Sequence, residues 1–204
     1  MNHRFITAAL GIALGFAATA QADVSAVAGM KSNGFFHGVT VTDDKPMMFG
    51  QVHYALPNGL YAFGKANNVA GGGEVDLGGG LKRQLGIIGI DAGVISYNFT
   101  DPNRERIDEV YLGASYGPMS AALASNKGGQ YLQVNAGQAL QRDLKLGLHW
   151  GNTLPKSGAA FWDAGVELTK DFRRFQLSGE VVHSTAAQVG GTKFSVGVSR
   201  PLDF

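Results

Sequence analysis

Apolar and polar side chains alternate one by one along most of this chain. Near the end of the sequence one parity of positions is apolar, interrupted by Arg200, and comprises Phe194, Val196, Val198, Leu202 and Phe204. Neighbouring side chains of a β-strand point to opposite faces, so this alternation predicts a strand with one apolar face. The segments lack the spacings of three and four that an amphipathic helix requires. The pattern therefore predicts an all-β protein.

Segments of this kind follow one another from residue 23 onwards. We count twelve of them, at 23–39, 46–56, 60–68, 74–83, 87–99, 109–116, 118–125, 130–140, 144–151, 160–169, 174–183 and 193–204. Even-numbered segments end in tight turns such as 57–59, whereas odd-numbered ones end in longer polar stretches such as 100–108 and 184–192. Short turns at one end and longer loops at the other are typical of transmembrane β-barrels. We predict an antiparallel up-and-down barrel of about twelve strands, with ten and eight as alternatives.

Residues 1–22 have the layout of a secretory signal peptide. Arg4 supplies a positive charge, residues 5–18 are mainly apolar, and Ala20-Gln21-Ala22 is a small-x-small cleavage pattern. The apolar stretch is shorter than the roughly 20 residues that a transmembrane helix needs. We therefore predict a Sec-type signal peptide cleaved near Ala22 and a barrel domain over 23–204. A cytosolic protein that begins with an amphipathic helix is the alternative.

The composition favours a membrane location for the strands. Only 16% of the residues are charged, against about 25% in soluble domains. The part after residue 22 has no apolar run long enough for a membrane helix, and a closed barrel is the other structure that satisfies every backbone group in lipid. We expect the outer membrane of a Gram-negative bacterium. A soluble secreted β-sandwich, with the apolar parity as its core, is the alternative.

Charge and residue content argue against several other functions. The chain has 17 basic and 16 acidic residues, so it lacks the basic surface that nucleic acids require. It has no cysteine, which removes disulfides and thiolate chemistry. His183 and Ser184 are adjacent and would point to opposite faces of a strand, so the two side chains cannot act as a catalytic pair. We predict that the protein is not an enzyme and binds no cofactor, metal or nucleic acid.

The polar parity supplies the candidate functional residues, because it faces the barrel interior if the apolar parity meets lipid. Its charged and histidine members are Glu74, Asp76, Lys82, Asp91, Glu109, Lys145, His149, Asp163, Glu167, Glu180 and Lys193. Acidic residues outnumber basic ones, so an open lumen would weakly prefer cations. Twelve strands lie between the eight of barrels filled by side chains and the 16–18 of porins, so a narrow channel and a closed core both remain open.

Part of the sequence resembles a known family. Residues 32–41 read Ser-Asn-Gly-Phe-Phe-His-Gly-Val-Thr-Val, and they are followed by Asp43-Asp44-Lys45-Pro46 and by Gly50-Gln51. This arrangement, together with short matches such as Glu109-Val110-Tyr111-Leu112-Gly113, resembles the TorF family of proteobacterial porins. Gly34 and His37 replace a tyrosine and an arginine of the family pattern. The resemblance implies an outer-membrane barrel of the porin type and names no solute.

Two functions are compatible with these observations. The first is passive passage of small hydrophilic solutes or ions through the barrel, and the second is a non-conducting barrel with a structural or partner-binding role. The terminal strand that ends in Phe204 is similar to the last strand of bacterial outer-membrane barrels, which the barrel-assembly machinery recognises. Outer-membrane lipid and this machinery are therefore the expected partners. The sequence leaves the oligomeric state open.

Overall fold

A computed structural model describes residues 23–187 and 189–202. The predicted signal peptide at 1–22 and the terminal Phe204 lie outside these residues. The described part contains fourteen strands: β1 (Asp23–Lys31), β2 (Phe35–Phe36), β3 (Val39–Thr40), β4 (Met47–Ala55), β5 (Leu60–Val69), β6 (Gly72–Leu85), β7 (Ile88–Phe99), β8 (Ile107–Tyr116), β9 (Met119–Asn126), β10 (Gly129–Gln141), β11 (Leu144–Pro155), β12 (Phe161–Asp171), β13 (Gln176–Ser184) and β14 (Gly191–Leu202). No helix that is long and apolar enough to cross a membrane occurs in this part of the chain.

Twelve of the strands close into one antiparallel barrel, and β2 and β3 form a separate hairpin. Each barrel strand pairs with its neighbours along the chain, and β1 completes the circle by pairing with β4 and β14. Val27 of β1 lies opposite Gln51 on one side and Pro201 on the other. The prediction of a twelve-stranded antiparallel barrel is confirmed. The counts of ten and eight and the two-sheet sandwich are wrong, because all twelve strands belong to one closed sheet.

The predicted first strand, 23–39, is wrong at its end. β1 stops at Lys31, and the following residues turn back to form the β2–β3 hairpin. His37 and Gly38 at the tip have positive φ values of 48° and 73°, the combination found in two-residue type I′ turns. The arms Phe35–Phe36 and Val39–Thr40 consist of aromatic and β-branched residues, which favour strands, so the sequence alone suggested one longer strand.

The two faces of the barrel differ in polarity in the way that the alternation predicts. In β8, Val110, Leu112 and Tyr116 are 57%, 60% and 61% exposed, whereas Glu109 and Tyr111 are buried. A soluble protein would reverse this arrangement, because exposed apolar area costs about 25 cal/mol per Å² in water. The apolar parity of the terminal strand points outward as well, with Phe194 and Val196 at 68% and 67% exposure.

The connections define two ends of the barrel. We call the end that carries 32–46, 100–106, 156–160 and 185–190 the loop end, and the end that carries the tight connections such as 86–87 and 142–143 the turn end. Both described chain ends, Asp23 and Leu202, lie at the turn end. Two loop-end connections, 70–71 and 127–128, are as short as the turns, so loop length separates the two ends only in part.

Candidate functional site in the barrel interior

The eleven residues predicted for the interior lie on the less exposed parity of their strands. Four are buried, namely Asp76, Asp91, Glu109 and Asp163. The other seven are half-buried: Glu74, Lys82, Lys145, His149, Glu167, Glu180 and Lys193. Lys31 of β1 reaches across the inside to Glu180 of β13 and Glu167 of β12, at 3.3 and 4.0 Å. These contacts skip the intervening β14, so the side chains meet inside the barrel.

The β2–β3 hairpin folds into the barrel from the loop end, and we call residues 35–40 the inserted hairpin. The His37 ring stacks on Tyr131 of β10 with 3.6 Å between ring centroids. Phe36 packs edge-on against Tyr97 of β7 with centroids 5.6 Å apart. Gly38 lies so close to Asp163 of β12 that an added Cβ would be 2.6 Å from the Asp163 Cγ. The hairpin tip therefore touches three strands of the wall and narrows the barrel near the loop end.

The wall beside the hairpin tip is a hydrogen-bonded cluster centred on Asp163, which is 0% exposed. His149 Nε2 lies 2.5 Å from Asp163 Oδ1, and His149 Nδ1 lies 2.9 Å from Asn135 Oδ1. The Tyr131 hydroxyl donates to the Asp163 carboxylate at 3.3 Å. A buried carboxylate needs such partners because burial without them is costly. The cluster fixes the surface on which the hairpin tip rests.

Burial sets the charge state of the hairpin tip. Removal of water from around His37 lowers its pKa from 6.5 to about 4, and the nearby Asp163 opposes this shift only in part. Desolvation disfavours the charged form of an imidazole. His37 is therefore neutral at pH 7 while the hairpin is inserted, and protonation favours its withdrawal.

The base of the inserted hairpin is tied to the wall. Asn33 is 4% exposed; its amide donates to Asp44 Oδ1 at 2.7 Å, and its Oδ1 accepts from Thr42 Oγ1 at 3.0 Å. Asp44 also forms an ion pair with Lys193 of β14, and this lysine lowers the pKa of Asp44. The Ser195 hydroxyl donates to the backbone carbonyl of Asn33 at 2.8 Å. These contacts hold the loop 32–46 against β14.

Lysines and carboxylates pair along the inner wall. Lys65 of β5 lies 3.1 Å from Asp76 of β6, and Lys145 of β11 lies 2.7 Å from Asp171 of β12. Sequence reasoning missed Lys31, Lys65 and Asp171, although the same parity rule would have found them. The inward parity of the described barrel strands carries nine carboxylates and five lysines, so the net charge of the inner wall is negative.

Tyrosines form a second set of inner residues that the sequence reasoning missed. The Tyr61 hydroxyl donates to Asp91 Oδ1 at 2.6 Å and also contacts the Tyr111 hydroxyl. The Tyr97 hydroxyl donates to Glu109 Oε1 at 3.0 Å. Tyrosine suits either a membrane interface or a polar interior, so only its position on the alternating strand could have assigned it to the inside.

The adjacent residues His183 and Ser184 do not contact each other in the described structure. His183 is exposed and its Nδ1 contacts the Thr192 hydroxyl, whereas Ser184 is 2% exposed on the other face. The two side chains point in opposite directions, as adjacent strand residues must. Within the described residues, no group of three or more histidine, cysteine, aspartate or glutamate side chains is arranged to hold a metal ion.

Comparisons with known proteins agree with this architecture. A family model described as "Bacterial protein of unknown function (Gcw_chp)" matches residues 16–196. The fold is similar to that of the KdgM porin in complex with disordered oligogalacturonate, with a TM-score of 0.65, 13% identity, and coverage of 90% of this chain and 99% of that one. A comparison with curated protein sequences gave no match.

Two further solved barrels resemble the chain over most of their length. For the NanC porin the TM-score is 0.61 at 7% identity, with 89% of this chain and 100% of that one covered. For Omp33, an outer membrane protein of Acinetobacter baumannii, the TM-score is 0.58 at 8% identity, with 89% and 97% covered. At such low identity these likenesses establish the fold alone.

Proposed function

The chain belongs to the Gcw_chp family of bacterial proteins, whose function is unknown, and we propose that it is a porin-like channel of the bacterial outer membrane. Small hydrophilic solutes or ions cross it by passive diffusion. In this proposal residues 1–22 are a signal peptide cleaved near Ala22, and the strand ending in Phe204 engages the barrel-assembly machinery. Membership of the TorF family, which residues 32–51 suggest, is part of the same proposal.

One observation carries the proposal: the barrel is apolar outside and polar inside. The outward parity exposes residues such as Leu112 and Val196, a surface that only lipid stabilises. The inward parity holds charged pairs such as Lys31–Glu180 and Lys65–Asp76. Such an interior gives a hydrated solute hydrogen-bonding partners along its path, and this is the arrangement of transmembrane barrels with polar channels.

The solutes that we propose for this barrel differ in charge from the ligand of the similar KdgM porin. The KdgM porin structure holds oligogalacturonate, which is a chain of carboxylated sugars and therefore an anion. Carboxylates outnumber lysines on the inner wall of the present barrel, so a polyanion would meet net repulsion. We propose neutral and cationic solutes instead.

A non-conducting barrel is the second candidate, and the inserted hairpin favours it. The His37–Tyr131 stack and the close approach of Gly38 to Asp163 fill the interior near the loop end. If no other route passes the hairpin, the barrel is a plug with a structural or partner-binding role.

Conductance separates the two candidates. The chain, expressed with its own leader and purified from outer membranes in detergent, is inserted into a planar lipid bilayer, and the current is recorded in several salts. Discrete, ohmic current steps support the channel. Their absence in every salt, with a barrel that still shows the mobility shift of a folded barrel on unheated gels, refutes it and leaves the structural role.

A further inference from the structure

An acidic recess lines one side of the barrel interior near the loop end. We define it by Asn67 of β5, Glu74 and Asp76 of β6, Tyr97 of β7 and Glu109 of β8. The strand register brings these residues together, because Asn67 lies opposite Glu74 and Asp76 lies opposite Tyr97. The carboxylates of Glu109, Asp76 and Glu74 all act electrostatically on the Tyr97 hydroxyl. The recess therefore gathers three carboxylates around one phenol ring.

Few cations compensate these carboxylates. Lys65 lies 3.1 Å from Asp76 Oδ2, and Arg104 of the loop 100–106 is held over the Phe99 ring at 3.9 Å while it acts on Glu74. Glu109 accepts hydrogen bonds from two neutral donors, the Tyr97 hydroxyl at 3.0 Å and the Asn126 amide at 2.9 Å. Neutral donors satisfy the lone pairs of a carboxylate but leave its charge in place. The recess keeps net negative charge.

Two buried oxygens of the recess have no donor. Asp76 is 3% exposed and Asn67 is 7% exposed, and among the described residues the Oδ1 atom of each has no hydrogen-bond partner. The remaining polar atoms of these side chains are used: Asp76 Oδ2 faces Lys65 and the Asn67 amide donates to Glu74 Oε1 at 3.3 Å. A buried acceptor without a donor costs about 1–3 kcal/mol. The recess thus presents acceptors and negative charge to anything that enters it.

We propose that this recess binds the ammonium group of a cationic amine on its way through the barrel. An ammonium group has three donors and no acceptor, so it can donate to an unpaired oxygen such as Asp76 Oδ1 while its charge offsets the carboxylates. The inference rests on the proposed function, because it names the class of solute that the channel favours.

A second pair of carboxylates deeper in the barrel supports a route for positive charge. Glu167 and Glu180 lie directly opposite each other on β12 and β13, and Lys31 is the lysine that contacts both. Like charges directly opposite each other destabilise a sheet unless a cation lies between them. In both places carboxylates outnumber the lysines that contact them.

Binding of 1,4-diaminobutane to the detergent-solubilised barrel at pH 7.5 and low salt tests the inference independently of conductance. Titration calorimetry should show saturable binding to the unmodified chain. Asp76→Asn should raise the dissociation constant about tenfold, which corresponds to about 1.4 kcal/mol. Asp108→Asn is the matched control, since it removes one charge on the adjacent β8 position, where the side chain is 60% exposed and pairs with Arg106.

A second variant is expected to bind the diamine more tightly, a result that a folding defect would not produce. Lys65→Gln removes the ammonium group that competes for Asp76, so the dissociation constant should fall by severalfold. No binding, equal affinity of Asp76→Asn and the unmodified chain, or equal weakening by Asp108→Asn would each overturn the proposed site.

Reversal potentials in a KCl gradient then distinguish the two proposals. Current with a preference for K⁺ that decreases in Asp76→Asn supports both. Current without cation preference overturns the recess and leaves the channel. Diamine binding without any current overturns the channel and leaves the binding site.

Discussion

The substitution Gly38→Ala tests whether the inserted hairpin limits passage through the barrel. Gly38 has φ +73°, and a Cβ at this position would lie 2.6 Å from the Asp163 Cγ and 3.0 Å from its Oδ1. Carbon atoms pack at about 3.5–4.0 Å, so the tip must retreat by roughly 1 Å or more. Asp163 belongs to the cluster with His149 and Tyr131 and cannot move without breaking those hydrogen bonds.

The magnitude follows from what the retreat breaks. The stack of His37 on Tyr131 has centroids 3.6 Å apart, and such a pair is worth about 0.5–1.5 kcal/mol beyond its burial. An alanine at positive φ adds about 1–2 kcal/mol of backbone strain. Together these effects favour withdrawal of the hairpin by about 1.5–3.5 kcal/mol, which is a factor of about 10–400 in the ratio of withdrawn to inserted hairpin.

Single-channel conductance is the assay, and Gly158→Ala is its control. Gly158 lies in the loop-end connection 156–160 at φ +96° and has no atom within 4 Å of an added Cβ. It therefore carries the backbone strain without the steric overlap. We expect larger unitary conductance for Gly38→Ala and none of this increase for Gly158→Ala. Equal conductance of Gly38→Ala, Gly158→Ala and the unmodified chain would refute a limiting role for the hairpin.

Three further predictions concern charge, pH and the outer face. Glu167→Lys places a cation beside Lys31 and should shift the reversal potential in a KCl gradient towards anions; an unchanged potential would place Glu167 outside the conduction path. Burial lowers the pKa of His37 from 6.5 to about 4 in the inserted hairpin, whereas in the withdrawn hairpin His37 keeps the ordinary value. The inserted state is therefore favoured fully above pH 6.5 and loses this advantage as the pH falls from 6.5 to about 4, because the withdrawn state is protonated first. Conductance should therefore rise over this interval, and His37→Phe, which keeps a stacking ring but cannot titrate, should abolish the rise. Val196→Lys puts a charge on an outward position that is 67% exposed and should lower the free energy of unfolding in lipid vesicles by about 2–4 kcal/mol if that position lies near the bilayer midplane; an unchanged unfolding curve in urea would argue against a lipid-facing position.

Which side chains face the barrel interior could be predicted from the sequence for individual residues. Glu109 and Asp163 are buried on the face that their alternation assigned to them, because side-chain direction along a strand depends only on the position of a residue in that strand. A tyrosine can lie at a membrane interface or in a polar interior. Tyr97 is 8% exposed, and its hydroxyl donates to Glu109 inside the barrel. Its type suits both places, so residue chemistry alone could not decide.

The partners of these residues could not be predicted in the same way. Lys31 and Glu180 are separated by 149 positions and meet only because the closure of β1 onto β14 brings β1 within reach of β13. The inserted hairpin is a similar case. Its arms, Phe35–Phe36 and Val39–Thr40, carry strand-forming side chains like those of the barrel strands. Their place inside the barrel depends on contacts with distant residues, such as the stack of His37 on Tyr131 and the close approach of Gly38 to Asp163.

The sequence by itself predicted most of the barrel strands, their apolar and polar faces and a count of about twelve, because a period of two and the turn residues between segments are local properties of the chain. The tertiary structure decided which inner charges pair, that the loop 32–46 enters the barrel, and that Asn67 and Asp76 each keep a buried oxygen without a donor. These features depend on the register and closure of the whole sheet. They arise from contacts between residues that are far apart in sequence, and a local sequence pattern does not predict such contacts.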